Sequence, residues 1–511
     1  MKLKDLFKDI EIIDTNKEID MNTEINHINY HTDSINKNDI FVAIKGYVTD
    51  GHKYIPVAID KGASIIVVED FQDLDIPQIK VKNTRKTLAD LANNYYNRPS
   101  EKLSITGITA TNGKTTTSFM VDEIYRQAGF NTGIIGTVLT RYSDIKVPSI
   151  LTTPESLDLQ RYFSDMIKHG VEKVTMEVSS SAEELSRVRN IDFNIVTFNN
   201  FSREHIDQHG SFERYYEVKS KLIRDADEKS VAVLNMDFDK IAILKDKTKA
   251  KVLTNSLEND KYDFGIKNLD LSTGKGKFTF CINNVLNING NLIDKCEFDI
   301  ELGIAGYSGV MNAVVAIIIG LIENIDIKII QKAIKEFSGV ERRFEMIYDE
   351  DFQIIDDHYA NSRNIDVTLS TLSKMNYKNL HVVYAIRGSR GVNLNRETAE
   401  KTAQWFKKLK PETFLATLSE DTVGKKDMVT EEEKRVFLDV MNKNKIDVKL
   451  YNTLEESVRK IIKCAKKGDV ILMAGCQGMD KGAYFAIDEI ILNDLTDDSD
   501  KLREKLANRI C

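Results

Sequence analysis

Leu103 to Gly129, LSITGITATNGKTTTSFMVDEIYRQAG, is the stretch that decides the fold class. LSITGIT reads as an apolar strand, ATNGK as a glycine turn and TTTSFMVDEIYRQAG as an amphipathic helix. Backbone N–H groups of such a turn, with the helix N-terminus, cradle phosphate oxygens. Within Ala110-Thr111-Asn112-Gly113-Lys114-Thr115-Thr116, Lys114 reaches a terminal phosphate and Thr115 can ligate magnesium. The strict GxxxxGK[ST] spacing is not met, because Ile108 stands five residues before Gly113. The bland alternative is an ordinary glycine turn carrying a surface lysine.

Working outward, VEKVTMEVSS (171–180), FNIVTFNN (193–200) and SVAVLNMD (230–237) read as further strands with helical segments between some of them. That alternation predicts a mostly parallel sheet covered by helices. Upstream, IFVAIKG (40–46) and ASIIVVED (63–70) read as strands and HKYIPVAIDKGA (52–63) as a helix, a small α/β unit closed by the connector NRPSEKL (97–103). Segment 250–302 is rich in turns and short strands. Near Ser338 a third α/β unit begins, with strands at FQIID (352–356), LHVVYAI (380–386) and DVILMAG (469–475). The expected architecture is α/β, three consecutive domains at 1–100, 101–337 and 338–511, the central one a P-loop-type mostly parallel sheet and the last Rossmann-like.

The chain has 511 residues, enough for about three domains. With 71 Lys+Arg against 79 Asp+Glu its net charge is −8, which disfavours bulk nucleic-acid or anionic-membrane binding. Five scattered cysteines suit a reducing cytoplasm rather than a disulfide framework. The longest apolar run, AVVAIIIGLI (313–322), is too short to span a bilayer and reads as a buried helix. No signal peptide is expected at MKLKDLFKDIEIID.

Other residues carry chemistry. Glu177 ends the strand VTMEVSS, where a carboxylate at the sheet's carboxyl edge can hold magnesium opposite the phosphate loop; a solvated capping glutamate is the alternative. REHIDQHG (203–210) places His205, Asp207 and His209 at alternate positions, the density of a metal or phosphate-transfer site, a zinc hydrolase included, or of a solvated loop. Lys219, in the helix-like FERYYEVKSKLI, taken alone reads as a surface charge.

Taken in order, these strings resemble the Mur ligase family through most of the chain. Besides GITATNGKTTT, the resemblance rests on Asp33-Ser34, DGHKYIPVAIDKGA, YYNRPSEKL, LTTPESLDLQ (151–160), MEVSSSAEELSRVR (176–189), NNFSREHIDQHGSFERYYEVKSKL (199–222), VLNMDFD (233–239) and GYSGVMNAVVA (306–316). It implies an ATP- and magnesium-dependent ligase that adds an amino acid to UDP-N-acetylmuramoyl-L-alanyl-D-glutamate through an acyl phosphate, in peptidoglycan precursor synthesis. Thr111, Asn112, Gly113, Lys114, Thr115 and Thr116 would then hold the ATP phosphates, with Asn312, Arg343 and Asp357 as further nucleotide contacts. Glu177 and His205 would join Thr115 as magnesium ligands, and Lys219 matches a carbamylated lysine, an anion able to hold a second magnesium. Ser34, Thr152, Thr153, Ser179, Arg187 and Arg390 match substrate-binding positions. The partners implied are a UDP-sugar-peptide and an amino acid, with no nucleic acid or membrane span, acting on a monomer.

Departures from the family strings cluster toward the C-terminus. Ala110 replaces a glycine, Ser181 the histidine of EVSSHA and Ile35 the arginine of DSR. DYAHNP becomes DDHYANSR (356–363), with Asn361 where histidine is expected, and GDRD…KR becomes GSRGVNLNR (388–396), keeping Arg390. DNPR is absent near LATLSEDTVGKKD (415–427), and GKGHE reads GCQGM (475–479). An arginine for a distal carboxylate and a glutamate for a distal ammonium are both lost, so lysine, another amino acid, or a different amine on a divergent acceptor in a side pathway are all open. A silent nucleotide-binding relative has no physical need for Lys114, Glu177, His205 and Lys219 together.

Overall fold

The computed structural model describes residues 1–46, 49–202, 210–272, 275–288, 290–359, 361–507 and 509, without the side chains of Ala305 and Arg363. Two compact units divide the chain: Met1–Asp263 with Val315–Ile325, and Phe264–Val314 with Asp326–Cys511.

In the first unit, the N-terminal sheet runs Asp14–Thr15, Gln78–Lys80, Ala63–Val68, Asp39–Val42, Ile28–Asn29, all parallel except the short first strand. Period-two alternation sends Ile40, Val42, Ile65 and Val67 to one face, against Leu3, Leu6, Leu88 and Leu91. Phe41, Ala43, Ile66 and Val68 pack on the other face with Ile55 and Ala58. Both faces being covered, the strands read as unbroken apolar runs, as buried parallel strands do.

The same unit carries a second sheet. Parallel strands Lys251–Asn255, Val231–Asn235, Ile195–Phe198, Ser104–Thr109, Lys173–Glu177 and Thr132–Ile135 lie side by side in that order. Leu139–Tyr142 and Ile145–Pro148 extend its edge antiparallel. Ser104–Thr109 is the first of these strands in the chain, and later strands fall on both sides of it. The crevice beyond its carboxyl end is therefore a topological switch point, where doubly wound sheets bind ligands. Helix Lys114–Gln127 follows, burying Met120, Val121, Ile124 and Tyr125.

The helical reading of FERYYEVKSKLI is correct in type but breaks at Ser220, into Phe212–Lys219 and Lys221–Arg224. Lys219 is 2% exposed, so the surface reading of this lysine is wrong. Lys219 lies on the buried face of the first helix with Tyr215 and Val218, while Lys221 stays half exposed and faces Glu183 at 3.6 Å.

In the second unit, Phe264–Asp270, Lys275–Ile282 and Cys296–Ala305 form antiparallel pairs, longer strands than the turn-rich reading of 250–302 expects. Its other sheet runs Glu345–Asp349, Gln353–His358, Val470–Gly475, Leu380–Ala385, Thr413–Thr417, Lys449–Tyr451, parallel but for the first strand. Separate apolar cores cover its two faces. The apolar run 313–322 lies in helix Tyr307–Ile322, whose Ala313, Val314 and Ile317 to Ile319 are fully buried. Among the described residues, no helix is long and apolar enough to cross a membrane.

Glu183, in helix Ser180–Glu184, is nearly fully buried, and desolvation pushes its carboxyl up to about 7, against the pull of Lys221. A folded-state value above the ordinary 4.5 means the folded protein holds this proton more tightly than the unfolded chain. The associated stability is present below about pH 4.5 and is lost as pH rises through about 7. Glu183→Gln should therefore be more stable than the parent at pH 8, by about 3 kcal/mol, and equal to it in acid. Urea midpoints across that range check this; a constant difference at all pH values would refute it.

Candidate active site

Three carboxyl strand ends meet the glycine turn. Thr109 leads into Ala110-Thr111-Asn112-Gly113, and Gly113, at φ +84°, caps helix Lys114–Gln127. A side chain there would be strained in the left-handed region, which explains the glycine. Ala110, the departure from the family string, lies outside that region and is fully buried, so the backbone accepts its methyl group. The turn is tied to the neighbouring strand end. The N–H of Thr111 donates to the Asn200 carbonyl at 2.9 Å, and the N–H of Asn112 to Asn200 Oδ1 at 2.9 Å. Asn200 Nδ2 returns a bond to the Asn112 carbonyl at 2.8 Å, and Ser202 N donates to Thr111 Oγ1 at 3.1 Å.

Lys114 Nζ folds over the turn, donating to the carbonyls of Ala110 at 3.0 Å and Thr111 at 3.3 Å. The first-turn N–H groups of the helix, Thr115 and Thr116 included, lack intrahelical acceptors by geometry and face an anion at this end. A cation on the loop and oriented donors make a phosphate cradle.

Glu177 ends strand Lys173–Glu177 and is completely buried. Its Oε2 accepts the Thr115 hydroxyl at 3.0 Å and the Thr137 hydroxyl at 3.0 Å; its Oε1 accepts the Thr137 N–H at 2.8 Å. Gly136 lies so close that a Cβ would stand 2.4 Å from Oε1, so this loop tolerates no side chain against the carboxylate. Thr152 Oγ1 lies 3.1 Å from Thr137 Oγ1.

The substrate-binding expectations extend this network. Thr153 Oγ1 donates to the Glu177 carbonyl at 2.8 Å and accepts Ser179 N–H at 3.1 Å. Ser179 caps the next helix, accepting from Ala182 N. Arg187 donates through Nε to Glu155 at 3.0 Å and through a terminal nitrogen to the Thr153 carbonyl at 3.2 Å. Arg85 faces the same Glu155 at 3.4 Å. Glu155 and Arg85 also line a cavity of about 750 Å3 with Tyr30, Asp158 and Arg161. Ser34 is exposed and lies apart from the Glu177 network, lining an adjoining cavity of about 310 Å3 that shares Tyr30, Asp158 and Arg161. Lys219 ends helix Phe212–Lys219 with its ammonium 5.4 Å from the centroid of the Tyr215 ring. His205, Asp207 and His209 lie outside the described residues.

The remaining expected residues belong to the second unit. Asn312 is buried in helix Tyr307–Ile322. Asp357 is buried, accepting the Phe344 N–H at 2.8 Å and the Thr368 hydroxyl; burial pushes its carboxyl up while Arg343 pulls it down. Beside it, burial and the charges of Arg343, Arg342 and Arg387 drive His358 down to about 3, so this imidazole is neutral. Arg390 is exposed, 3.9 Å from Asp427. Its own N–H, with those of Ser389 and Gly391, is held by Glu433. Asp421 is spent on the N–H groups of Leu454 and Glu455 at 2.8 and 3.1 Å.

Thr137, Gly136, Asn200 and Glu155 escaped the sequence reading. The available signal was GIIGT (133–137), an apolar run ending in glycine and a hydroxyl, and the paired asparagines of NNFS.

Comparison with known proteins adds three matches in chain order. The Mur ligase family catalytic domain matches residues 24–96, the Mur ligase middle domain 108–320, and the Mur ligase glutamate ligase domain 342–477. A solved UDP-N-acetylmuramoyl-L-alanyl-D-glutamate–2,6-diaminopimelate ligase shares the fold, with TM-score 0.70 at 20% identity over 97% of this chain and 100% of that one. Curated proteins of that same name are similar in sequence. That of Clostridium botulinum (strain ATCC 19397 / Type A) is 34% identical, over 88% of this chain and 90% of its own. That of Clostridium tetani (strain Massachusetts / E88) is 35% identical across 487 residues, 93% of this chain and 94% of the relative. Similarity of that extent, with three consecutive family matches along the chain, leaves one conclusion: the chain belongs to the Mur ligase family.

Proposed function

We propose that this protein is an ATP-dependent ligase that adds an amino acid to UDP-N-acetylmuramoyl-L-alanyl-D-glutamate, with domains at 1–100, 101–337 and 338–511. The observation that carries the reading is the Lys114 and Thr115 turn bound, through Thr115, to the buried Glu177 carboxylate at 3.0 Å. Relatives that this chain matches nearly end to end are named for that acceptor.

Magnesium fits the donor set. Among the described residues no three His, Cys, Asp or Glu side chains gather as a metal cage. A magnesium ion shared with phosphates needs only one or two carboxylates, and Thr115 and Glu177 supply hard oxygen donors already in contact. His205 and a carbamylated Lys219, a lysine buried at 2% exposure, complete the proposed set. When bound, the metal neutralises phosphate oxygens as charge develops on them.

In the proposed reaction the acceptor carboxylate attacks the γ-phosphorus of ATP, and the bond from that phosphorus to the bridging oxygen breaks, releasing ADP. The amine then attacks the acyl carbon, the carbon–oxygen bond to phosphate breaks, and the amine's proton leaves to solvent. Lys114 exchanges its loop carbonyls for phosphate oxygens, and the turn's N–H groups orient the transferred group. Thr152, Thr153, Ser179 and Arg187 hold the peptide end of the acceptor beside Glu177. The nucleotide end of the acceptor occupies the cavities shared by Tyr30, Asp158 and Arg161. Asn312, Arg343 and Asp357 contact ATP, and Arg390 the incoming amino acid.

One observation favours an amine other than diaminopimelate. Where the DNPR and GKGHE strings would stand, Asp421 is committed to backbone N–H groups and Cys476 Sγ lies buried 2.9 Å from the Tyr359 carbonyl. No Arg or Glu of those strings remains to hold a distal amino-acid head group.

Phosphate release with ATP, magnesium, the UDP-linked dipeptide and a panel of amino acids, with products weighed by mass spectrometry, tests the reading. One amino acid should yield a tripeptide product; silence across the panel from protein that binds ATP would refute it. Lys114→Ala should cut turnover by at least about 100-fold without unfolding the chain. Gly136→Ala, which drives a methyl group into Glu177, should lose turnover to a similar degree, and full activity would refute the assigned role of Glu177. Lys219→Ala should be inactive and regain part of its rate with added short carboxylic acids.

A further inference from the structure

Resting on the reading above, we infer that Thr137 is a positioning residue that holds Glu177 for the metal and links it to the acceptor subsite at Thr152. An ionised carboxylate only accepts hydrogen bonds, and a threonine hydroxyl has a single proton to give. Thr137 therefore spends its proton on Glu177 Oε2 at 3.0 Å, and the 3.1 Å contact with Thr152 must be a bond donated by Thr152 to Thr137. The direction is fixed along the chain: Thr152 gives to Thr137, Thr137 to Glu177, and Thr115 to the same Glu177 oxygen from the other side.

Each end of this relay has a different task. Thr115 must turn its proton away from Glu177 when both oxygens face a cation. Glu177 then keeps two bonds, both from Thr137: the hydroxyl to Oε2 and the N–H to Oε1 at 2.8 Å. The loop that delivers them is itself fixed. Ser149 Oγ donates to the Gly136 carbonyl at 2.5 Å, and Gly136 N–H donates to the Leu139 carbonyl at 3.2 Å. At the other end, an acceptor carboxylate that draws on the Thr152 proton takes it from Thr137, which leaves Thr137 with its bond to Glu177 and nothing behind it. Acceptor binding and metal binding thus act on one chain of hydroxyls, and chains of this kind polarise one another.

The test uses full-length protein and the non-hydrolysable ATP analogue AMP-PNP, its affinity measured by calorimetry as magnesium is titrated. Thr137→Val keeps the shape and the backbone N–H but removes the hydroxyl; Thr137→Ser keeps the hydroxyl. Loss of an outer partner of a ligating carboxylate weakens metal affinity about 10–100-fold, so Thr137→Val should raise the magnesium midpoint by about tenfold while Thr137→Ser stays near the parent. A valine variant with the parent's magnesium midpoint overturns the inference, and so does a serine variant as weak as valine. Because no acceptor is present, this result stands whether or not the UDP-linked dipeptide proves to be the substrate. Adding that dipeptide should shift analogue affinity several-fold in the parent and not in Thr137→Val; an equal shift in both overturns the link to Thr152.

Discussion

Everything at the site depends on one buried carboxylate, Glu177, and on the hydroxyl and N–H donors that replace its water. Glu177 sits at 0% exposure, and its charge is met by three short hydrogen bonds from threonine hydroxyls and a backbone N–H. Burying a carboxylate costs several kcal/mol unless such donors replace water. Neutral donors from two segments, Thr115 and Thr137, meet the carboxylate directly, and Thr152 from a third reaches it only through Thr137.

The surrounding architecture serves that convergence. A parallel sheet buried on both faces delivers the ends of adjacent strands to one edge, so residues far apart in the chain arrive within hydrogen-bond reach. Asn200, at the end of one strand, locks the turn that follows another, and Gly136 withdraws its side chain so that a third can close in. Lys219 shares the buried face of its helix with Tyr215 and Val218, and the next lysine begins a new segment beside Glu183.

Local pattern carried part of this and no more. The strand, turn and helix of 103–129 were legible because glycine at φ +84° leaves a mark in composition and because the helix repeats its apolar face. Fold class followed from the alternation of strands and helices, and the N-terminal and C-terminal sheets appear where their apolar runs stand. Lys219 was illegible as a buried group, since burial of a helical lysine depends on what packs over it, 2% exposure being a tertiary fact. Thr137 was illegible for the same reason: nothing in GIIGT announces that its hydroxyl will meet a carboxylate forty residues later. Strings that resemble a family recovered positions that periodicity could not, and the strings that departed from it fell where Asp421 and Glu433 have become internal caps.

The ties from Asn200 to the phosphate turn also bear on how the site comes into being during folding. Residues 111, 137, 152, 177 and 200 meet only after strands at 104, 132, 173 and 195 have paired. Contacts of such wide sequence separation close late, because loop entropy must be overcome before any of them is made. A nascent chain ending shortly after the helix Lys114–Gln127 would carry the turn with its internal Lys114 bonds but none of its ties to Asn200 or Glu177. The turn thus gains its outer ties, Asn200 behind it and Glu177 on Thr115, only when the central sheet is complete.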